Sequence, residues 1–159
     1  MGFNIKEKHI SEGLKKTTWK GRLEIINYLN KKILVDCAHN YPAAKALSNE
    51  RNDWKNEGEG IYWILGVQKQ KDICAILKPL LKKNDHLLLV PVPNQPSWQL
   101  KDLKEIKEIN FKKTTEFKTF ELAIDYLFSL KKWPTNNPVL TGSIFLVAEF
   151  IKFANKQKC

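Results

Sequence analysis

The sequence predicts an α/β domain whose mostly parallel sheet is covered by helices on both faces. Three observations lead to this prediction. Short, almost continuous apolar runs, each with the length of a strand, recur along the 159-residue chain. Segments with helical spacing of apolar residues separate these runs. Strands that are apolar on both sides are typical of parallel sheets, because crossover helices bury both faces.

The first half of the chain contains the strand-like runs 23–29 (LEIINYL), 32–36 (KILVD) and 61–67 (IYWILGV). A tight turn is predicted at Asn30-Lys31, between the first two runs. A helix is predicted from Pro42, because proline fits the first turn of a helix, where no amide hydrogen is needed. Residues 56–60 (NEGEG) are predicted to form a loop before the third run.

The second half continues the alternation with the strand-like runs 86–91 (HLLLVP) and 139–140 (VL). Helices are predicted to begin at Asp72, at Ser97 or Gln99, at Thr119 and at Ser143. Their apolar faces are predicted to consist, helix by helix, of Ile73, Ile76, Leu77 and Leu80; of Leu100, Leu103 and Ile106; of Leu122, Ala123, Tyr126 and Leu127; and of Ile144, Val147, Phe150, Ile151 and Ala154.

The composition is that of a globular protein in aqueous solution, with 43% hydrophobic and 28% charged residues. The apolar run at 144–151 is interrupted by Glu149 and is too short to span a bilayer. The first residues lack the apolar core and the cleavage site of a signal peptide. These features predict a cytoplasmic protein without a membrane partner.

The net charge of +10 raises the question of a polyanionic partner. The lysines lie mostly in pairs at the ends of predicted elements, which is typical of a solvated surface, so no nucleic-acid partner is expected. An acidic small substrate would be attracted by the same charge. The three cysteines and three histidines are scattered and form neither a zinc nor a disulfide pattern, so no metal ligands are expected.

A polar segment, DCAHN at 36–40, ends the run 32–36 and precedes the helix predicted from Pro42. In open α/β sheets, ligands bind beyond the carboxyl ends of the strands. This segment is therefore the first candidate for a binding site, and its apolar strand is expected at the centre of the sheet. Asn40 is expected to brace the turn through its side chain.

Four segments carry a resemblance to a known family: 19–24 (WKGRLE), 36–40 (DCAHN), 66–72 (GVQKQKD) and 141–143 (TGS). In this order the segments resemble the C-terminal domain of folylpolyglutamate synthase, and they are similar to the bifunctional dihydrofolate synthase of the Mur ligase superfamily. The resemblance runs from about residue 10 to residue 153. It implies a Rossmann-like fold of the Mur ligase C-terminal domain type.

The resemblance implies an ATP-dependent ligase that adds L-glutamate to a folate-type acid, with dihydropteroate as a second candidate acid. In that family ATP phosphorylates the acid, and the amine of glutamate attacks the acyl phosphate. The family has an N-terminal ATPase domain with a glycine-rich phosphate loop, whereas this sequence contains no G-x-x-x-x-G-K-[ST]. That domain and the Mg²⁺ it holds are therefore expected outside this chain. Residues 1–18 are expected to be an interdomain linker and 19–159 the ligase domain, monomeric and inactive alone.

The resemblance also implies the site residues. Arg22 and Asp36 would contact ATP, since an arginine neutralises phosphate charge and a carboxylate accepts ribose hydroxyls. His39 and Ser143 would bind glutamate and act in catalysis, and Lys71 would bind substrate. Ser143 would lie at a helix N-terminus, where backbone amides hold carboxylates. The structural alternatives are a surface role for Arg22, a capping role for Asp36 and a loop histidine at position 39. Ser143 would then only cap the last helix.

Three positions depart from the family pattern. Lys20 and Tyr41 stand where the family usually has proline, and Cys37 stands where it has glycine. None of these changes removes a charged or donor group. Two other functions stay open. A cell-wall Mur ligase shares the fold and the chemistry, but the segments 19–24 and 141–143 favour the folate branch. A stand-alone module that binds polyanions or a small ligand would need no catalysis.

Overall fold

The computed structural model describes residues 5–51, 54, 59–103 and 113–156. Within these ranges the elements are α1 (Glu7–Lys16), β1 (Glu24–Tyr28), β2 (Lys31–Val35), α2 (Tyr41–Arg51), β3 (Tyr62–Leu65), α3 (Ile73–Leu80), β4 (His86–Leu89), α4 (Leu100–Leu103), β5 (Thr114–Glu116), α5 (Phe120–Ser129), β6 (Val139–Thr141) and α6 (Ile144–Lys156). Every strand predicted from the sequence is present. None of the helices in these ranges is long and apolar enough to cross a membrane.

The strands form one sheet in the order β1-β2-β6-β3-β4-β5. β1 and β2 are antiparallel, and every other neighbouring pair is parallel. The predicted α/β class with a mostly parallel sheet is therefore confirmed. The expectation that β2 is the central strand is wrong, because the connection through α5 inserts β6 between β2 and β3. β2 is an inner strand beside the edge strand β1.

Helices bury both faces of the sheet, as predicted. Trp63 and Leu65 of β3 belong to one core with residues of α2, α3 and α4. Ile64, between them, belongs to a second core with residues of α5 and α6. Successive residues of a strand point to opposite faces, so a strand with a core on each side must be apolar at every position. This explains the continuous apolar runs in the sequence.

The hairpin of β1 and β2 turns one residue earlier than predicted. Tyr28 pairs with Lys31, so Leu29 and Asn30 form the two-residue turn. Their φ angles are 45° and 62°, as in the type I′ turn that matches the twist of a hairpin. Asparagine suits this geometry, whereas leucine seldom adopts it. The error therefore arose because the first turn position carries an unfavourable residue.

Two predicted helix starts are confirmed by capping hydrogen bonds. Asp72 accepts the amide hydrogen of Ala75 at 3.0 Å, and Thr119 accepts that of Leu122 at 3.4 Å. The short helix α4 follows Gln99 directly, which agrees with one of the two predicted starts. These helices begin where a local sequence signal places them.

Two predicted core positions are exposed instead. Leu122 of α5 is 47% exposed, and Ile144 of α6 is 57% exposed. The buried face of α5 contains Phe120 and Ile124, and that of α6 contains Leu146. Both helices carry more apolar residues than one face can bury, so helical spacing alone did not determine which of them face the sheet.

Two elements were not predicted. β5 consists of polar residues at the edge of the sheet and pairs with β4. α1 occupies part of the segment expected to be a linker, and its residues 7–14 are exposed. Part of the loop predicted at 56–60 lies outside the described residues, and so does Ile106.

A buried ion pair joins α2 to the amino ends of β3 and β4. Arg51 donates two hydrogen bonds to the Asp85 carboxylate, at 2.6 and 2.7 Å. The same carboxylate accepts hydrogens from the Trp63 indole and from the backbone amides of Ile61 and Lys82, each at 2.9 Å. These bonds satisfy the buried charges. The cluster fixes the end of the sheet opposite to the predicted site.

Candidate functional site

The carboxyl ends of β2, β6 and β3 lie side by side, and the predicted site segments follow these three strands. Asp36 donates its amide hydrogen to the Leu140 carbonyl at 3.1 Å. Gly66 donates its amide hydrogen to the Thr141 carbonyl at 3.2 Å, and the Thr141 hydroxyl donates to the Ala38 carbonyl at 3.4 Å. The three segments therefore meet at one edge of the sheet, as the topology of such sheets requires.

The Asp36 side chain joins two of the predicted segments. It is only 7% exposed. Oδ1 accepts the amide hydrogen of Ala38 at 2.8 Å, and Oδ2 accepts that of Leu23 at 3.1 Å. The carboxylate thus caps backbone amides, although in loops rather than at a helix start. Because each carboxylate oxygen accepts about two hydrogen bonds, Asp36 can hold both amides and still accept from a hydroxyl.

Arg22 lies on a tight turn that Asp36 fastens to the sheet. The neighbouring Gly21 and Leu23 have φ angles of 72° and 44°. The Arg22 side chain is exposed, and in the described part of the chain it has no hydrogen-bond or ion-pair partner. Its charge acts on the Cys37 thiol at the end of β2. The structure therefore brings Arg22 close to the segment that contains Asp36.

Cys37 fills the space below this turn. A Cβ at Gly21 would lie 3.1 Å from the Cys37 sulfur, which shows how closely the two segments pack. Burial raises the pKa of the Cys37 thiol, Arg22 lowers it and Asp36 raises it, with burial the largest of these effects. The thiol is therefore neutral at neutral pH. Cys37, where the family usually has glycine, therefore adds only a small, uncharged side chain that is buried.

His39 is oriented by the loop backbone. Its Nδ1 lies 2.8 Å from the Cys37 carbonyl oxygen. A carbonyl only accepts, so Nδ1 carries the hydrogen and Nε2 is the acceptor of the neutral ring. No residue in the described ranges forms a hydrogen bond with Nε2. The bracing role expected for Asn40 is present, because its Oδ1 accepts the amide hydrogen of Ala43 at 3.0 Å.

Ser143 has the capping role that was its structural alternative. Its Oγ accepts the amide hydrogen of Phe145 at 3.2 Å, and its carbonyl accepts that of Val147 at 3.1 Å. The preceding Gly142 has a φ of 101°, and a Cβ there would lie 2.5 Å from the Gly66 carbonyl oxygen. Only glycine fits this close approach. Ser143 is thereby fixed at the N-terminus of α6, against the segment that follows β3.

Lys71 belongs to a loop that is fastened to the segment after β4. Trp98 donates its indole hydrogen to the Lys71 carbonyl at 2.9 Å and its amide hydrogen to the Val67 carbonyl at 3.0 Å. Lys69 pairs with Asp102 at 2.7 Å and lies 4.2 Å from the centre of the Trp98 ring. Among the described residues, no hydrogen bond or ion pair joins Lys71 to the other predicted site residues.

The site offers groups that fit a nucleotide. An exposed arginine beside a carboxylate with free acceptor capacity suits a phosphate and the hydroxyls of a ribose. For a metal ion the described ranges bring together no group of three or more His, Cys, Asp or Glu side chains.

Three residues at this edge were not singled out from the sequence. Glu24 accepts the amide hydrogen of Gly21 at 2.7 Å, Thr141 joins two of the loops, and Trp98 holds the loop of Lys71. The first two lay within the segments that carried the resemblance, but residue type gave no sign of their partners. A tryptophan in the proline-rich stretch PVPNQPSW was a signal that could have pointed to Trp98.

Comparison with known proteins identifies the family. Residues 21–153 match the family of the dihydrofolate synthetase C-terminal domain. The chain is 32% identical over 149 residues to the dihydrofolate synthase/folylpolyglutamate synthase of Buchnera aphidicola subsp. Acyrthosiphon pisum, a match that covers 94% of this chain and 35% of that protein. It is 28% identical over 158 residues to a probable dihydrofolate synthetase of Schizosaccharomyces pombe, with 95% and 38% covered.

Solved structures agree with the fold. Escherichia coli FolC in complex with DHPP and ADP superposes with a TM-score of 0.77 at 20% identity, over 99% of this chain and 36% of that one. The folylpolyglutamate synthase of Thermotoga maritima gives 0.71 at 26% identity, over 98% and 35%. The chain thus spans 35% to 38% of the length of the two sequence relatives named here. With a match that extends from residue 21 to residue 153, the chain belongs to the dihydrofolate synthetase C-terminal domain family.

Proposed function

We propose that the chain is the C-terminal part of an ATP-dependent ligase that adds L-glutamate to folate and tetrahydrofolate polyglutamates, with dihydropteroate as a second acid substrate. The reaction would pass through an acyl phosphate of the acid, formed when ATP transfers a phosphoryl group to the carboxylate and leaves as ADP. The amine of glutamate would then attack the acyl carbon, expel inorganic phosphate and lose a proton as the amide bond forms. The observation that carries the proposal is the convergence of the segments bearing Arg22, Asp36, His39 and Ser143 at one edge of the sheet. The names of the sequence relatives support the same reaction.

Arg22 and Asp36 are proposed to contact the nucleotide. The Arg22 guanidinium is exposed, so it can approach a phosphate and stabilise the charge that develops during phosphoryl transfer. The Asp36 carboxylate is fixed by two backbone amides at 2.8 and 3.1 Å. Its remaining acceptor capacity suits the ribose hydroxyls.

His39 and Ser143 are proposed to bind the incoming glutamate. Because Nδ1 of His39 is bonded to the backbone, Nε2 is left to accept from the amine of glutamate or, when protonated, to donate to a carboxylate. The N-terminus of α6, which Ser143 caps, favours a carboxylate through the positive end of the helix dipole. Lys71 is proposed as a further ligand for a substrate carboxylate.

A second unit is proposed to close the site. Large apolar side chains are exposed on the segments around this edge: Trp19, Leu23, Tyr41, Ile144 and Phe145. Such a surface is typical of a region that another protein part covers. We assign that part to an N-terminal ATPase domain of the same enzyme, which would supply the phosphate loop and hold Mg²⁺. Residues 1–18, with the exposed helix α1, would link it to the ligase domain 19–159 of a cytoplasmic, monomeric enzyme.

The test is a fusion protein in which this chain replaces the matched part of the Buchnera enzyme. The readout is ATP hydrolysis that depends on both glutamate and the folate substrate. The fusion should show it, whereas the 159-residue chain alone should not. Arg22→Ala should reduce the rate, and Lys132→Ala, an exposed cation at the other end of the sheet, should not. A folded fusion without glutamate-dependent hydrolysis would contradict the ligase and favour a binding module.

A further inference from the structure

The Glu24 side chain has no part in the proposed contacts to nucleotide or glutamate, yet it lies at the base of the turn that carries Arg22. We propose that Glu24 is a positioning residue, which holds this turn in the conformation in which Arg22 meets the phosphates of a nucleotide. The inference rests on the proposed role of Arg22 as a nucleotide contact.

The first support is the bond between Glu24 and Gly21. Oε2 of Glu24 accepts the Gly21 amide hydrogen at 2.7 Å, a short, charge-assisted hydrogen bond. The carbonyl of Gly21 accepts the Cys37 amide hydrogen at 2.9 Å. Both polar groups of Gly21 are therefore fixed, one by the side chain of Glu24 and the other by the loop after β2.

The packing around Gly21 shows in which direction the turn could move. Its φ is 72°, and a Cβ at this position would lie 2.7 Å from Cγ1 of Val147 and 3.1 Å from the sulfur of Cys37. The backbone thus packs directly on α6 and on the end of β2. The Gly21 backbone therefore has no room to move toward the sheet. The bond to Glu24 opposes the remaining movement, away from the sheet.

The next two amides of the turn are also held. Arg22 donates its amide hydrogen to the Trp19 carbonyl at 3.1 Å, and Leu23 donates to Oδ2 of Asp36 at 3.1 Å. Leu23 has a φ of 44°, a conformation that residues other than glycine seldom adopt and that surrounding contacts must impose. Three consecutive amides therefore have fixed acceptors, and two of these acceptors are carboxylates.

Glu24 has a rigid support of its own. It is the first residue of β1 and pairs with Val35, the residue before Asp36. The two carboxylates that hold the turn therefore start from adjacent, paired strands. The hairpin fixes the distance between the backbones of Glu24 and Asp36. It thereby helps to fix the two amides that these carboxylates hold, those of Gly21 and Leu23.

This arrangement matters for binding because the Arg22 side chain is exposed and has no partner in the described part of the chain. An arginine on a mobile turn would lose backbone freedom when it meets a phosphate, and this loss weakens affinity. A turn that is fixed beforehand loses less. Glu24 should therefore raise nucleotide affinity without touching the nucleotide.

The test compares Glu24→Ala, Glu24→Gln, Arg22→Ala and Glu116→Ala. Glu116 is the matched control, because its carboxylate also accepts a backbone amide hydrogen, that of Leu100 at 3.1 Å, but on the far edge strand β5. The dissociation constant for ADP is measured in the fusion protein by calorimetry, well below the unfolding temperature. The exchange rate of the Gly21 amide hydrogen is measured by NMR in the 159-residue chain.

Glu24→Ala should weaken ADP binding roughly tenfold, as expected for the loss of one charge-assisted hydrogen bond, and should speed exchange at Gly21. Glu24→Gln keeps an acceptor oxygen and should restore most of the affinity, while Glu116→Ala should change neither value. If Glu24→Ala binds ADP with wild-type affinity while Arg22→Ala binds it more weakly, the inference about Glu24 is wrong, but the nucleotide role of Arg22 stands. Unchanged affinity in Arg22→Ala would instead overturn the nucleotide role of Arg22 and the inference with it.

Discussion

The Asp36 carboxylate accepts the amide hydrogen of Leu23 at 3.1 Å, across 13 positions of the sequence. Its other oxygen accepts the amide hydrogen of Ala38 at 2.8 Å. One buried side chain thus fixes the turn that carries Arg22 and the loop that carries His39. The same carboxylate is the group to which we assign the ribose contact, so its structural and its proposed functional roles have to be separated by experiment.

Asp36→Asn should lower the free energy of unfolding by about 2 kcal/mol, because the amide group would turn a donor toward one of the two backbone N–H groups. Urea denaturation followed by circular dichroism measures this change. The control is Asp125→Asn, an exposed position on α5, which should stay within about 0.5 kcal/mol of the wild type. Equal stability of the two variants would show that the bonds of Asp36 contribute little to the fold.

His39→Ala should abolish most glutamate addition by the fusion protein while the domain stays folded. The side chain lies in a loop, so the free energy of unfolding should change by no more than roughly 1 kcal/mol. Loss of a positioned polar contact should cost on the order of 2–4 kcal/mol of transition-state stabilisation. Thermal unfolding and single-turnover ligation measure the two effects, with the exposed His9→Ala as control. Easy unfolding with an unchanged ligation rate would make His39 a scaffold residue.

Cys37 should react with iodoacetamide much more slowly than Cys74. Burial is the main cause that raises the pKa of the Cys37 thiol, so less of the reactive thiolate is present at a given pH. Cys74 is only partly buried. Mass spectrometry of peptides follows each cysteine separately, without mutation. Similar rates at the two positions would mean that the turn above Cys37 opens readily, so that Arg22 would not lie on a fixed turn.

Stability should fall on acidification, in part because of His86. Burial is the main cause that lowers the pKa of His86 below its ordinary value of 6.5; Lys113 also lowers it and Asp85 raises it. The unfolded chain therefore takes up the proton first. The contribution of neutral His86 to the free energy of unfolding is fully present above pH 6.5. This contribution is lost as the pH falls through the lower pKa of the folded state.

Urea denaturation at a series of pH values tests this for the wild type and His86→Phe. The phenyl ring keeps the stacking on Tyr62, whose ring centre lies 4.3 Å away, but it does not titrate. The wild type should lose more stability than the variant below pH 6.5. Two parallel curves would show that other groups cause the acid sensitivity.

The parts of the fold that were predictable depend on local signals. Continuous apolar runs indicated β2, β3 and β4, because strands with a core on each side need apolar residues at every position. Asp72 and Thr119 marked helix starts, because a capping residue and its partner lie three positions apart. β5 gave no such signal. Its polar residues 114–116 pair with β4 through backbone groups that any sequence provides.

The meeting of the candidate segments was predictable, but their bonds were not. Polar residues at strand ends indicated that these segments would meet at one edge of the sheet, since parallel strands share that edge. The bond from Leu23 to Asp36 and the contact of Gly142 with Gly66 join segments that are distant in sequence. Only the folded arrangement of β1, β2, β3 and β6 brings these groups together, so no pattern in the sequence could indicate them.

We propose above all that Arg22 and Asp36 contact a nucleotide at this edge of the sheet. The most direct measurement is a crystal structure of the fusion protein with a non-hydrolysable ATP analogue. We expect the Arg22 guanidinium within about 3 Å of a phosphate oxygen and the Asp36 carboxylate within about 3 Å of a ribose hydroxyl. If the analogue is well ordered and both side chains lie beyond hydrogen-bonding distance of it, Arg22 and Asp36 are not nucleotide contacts.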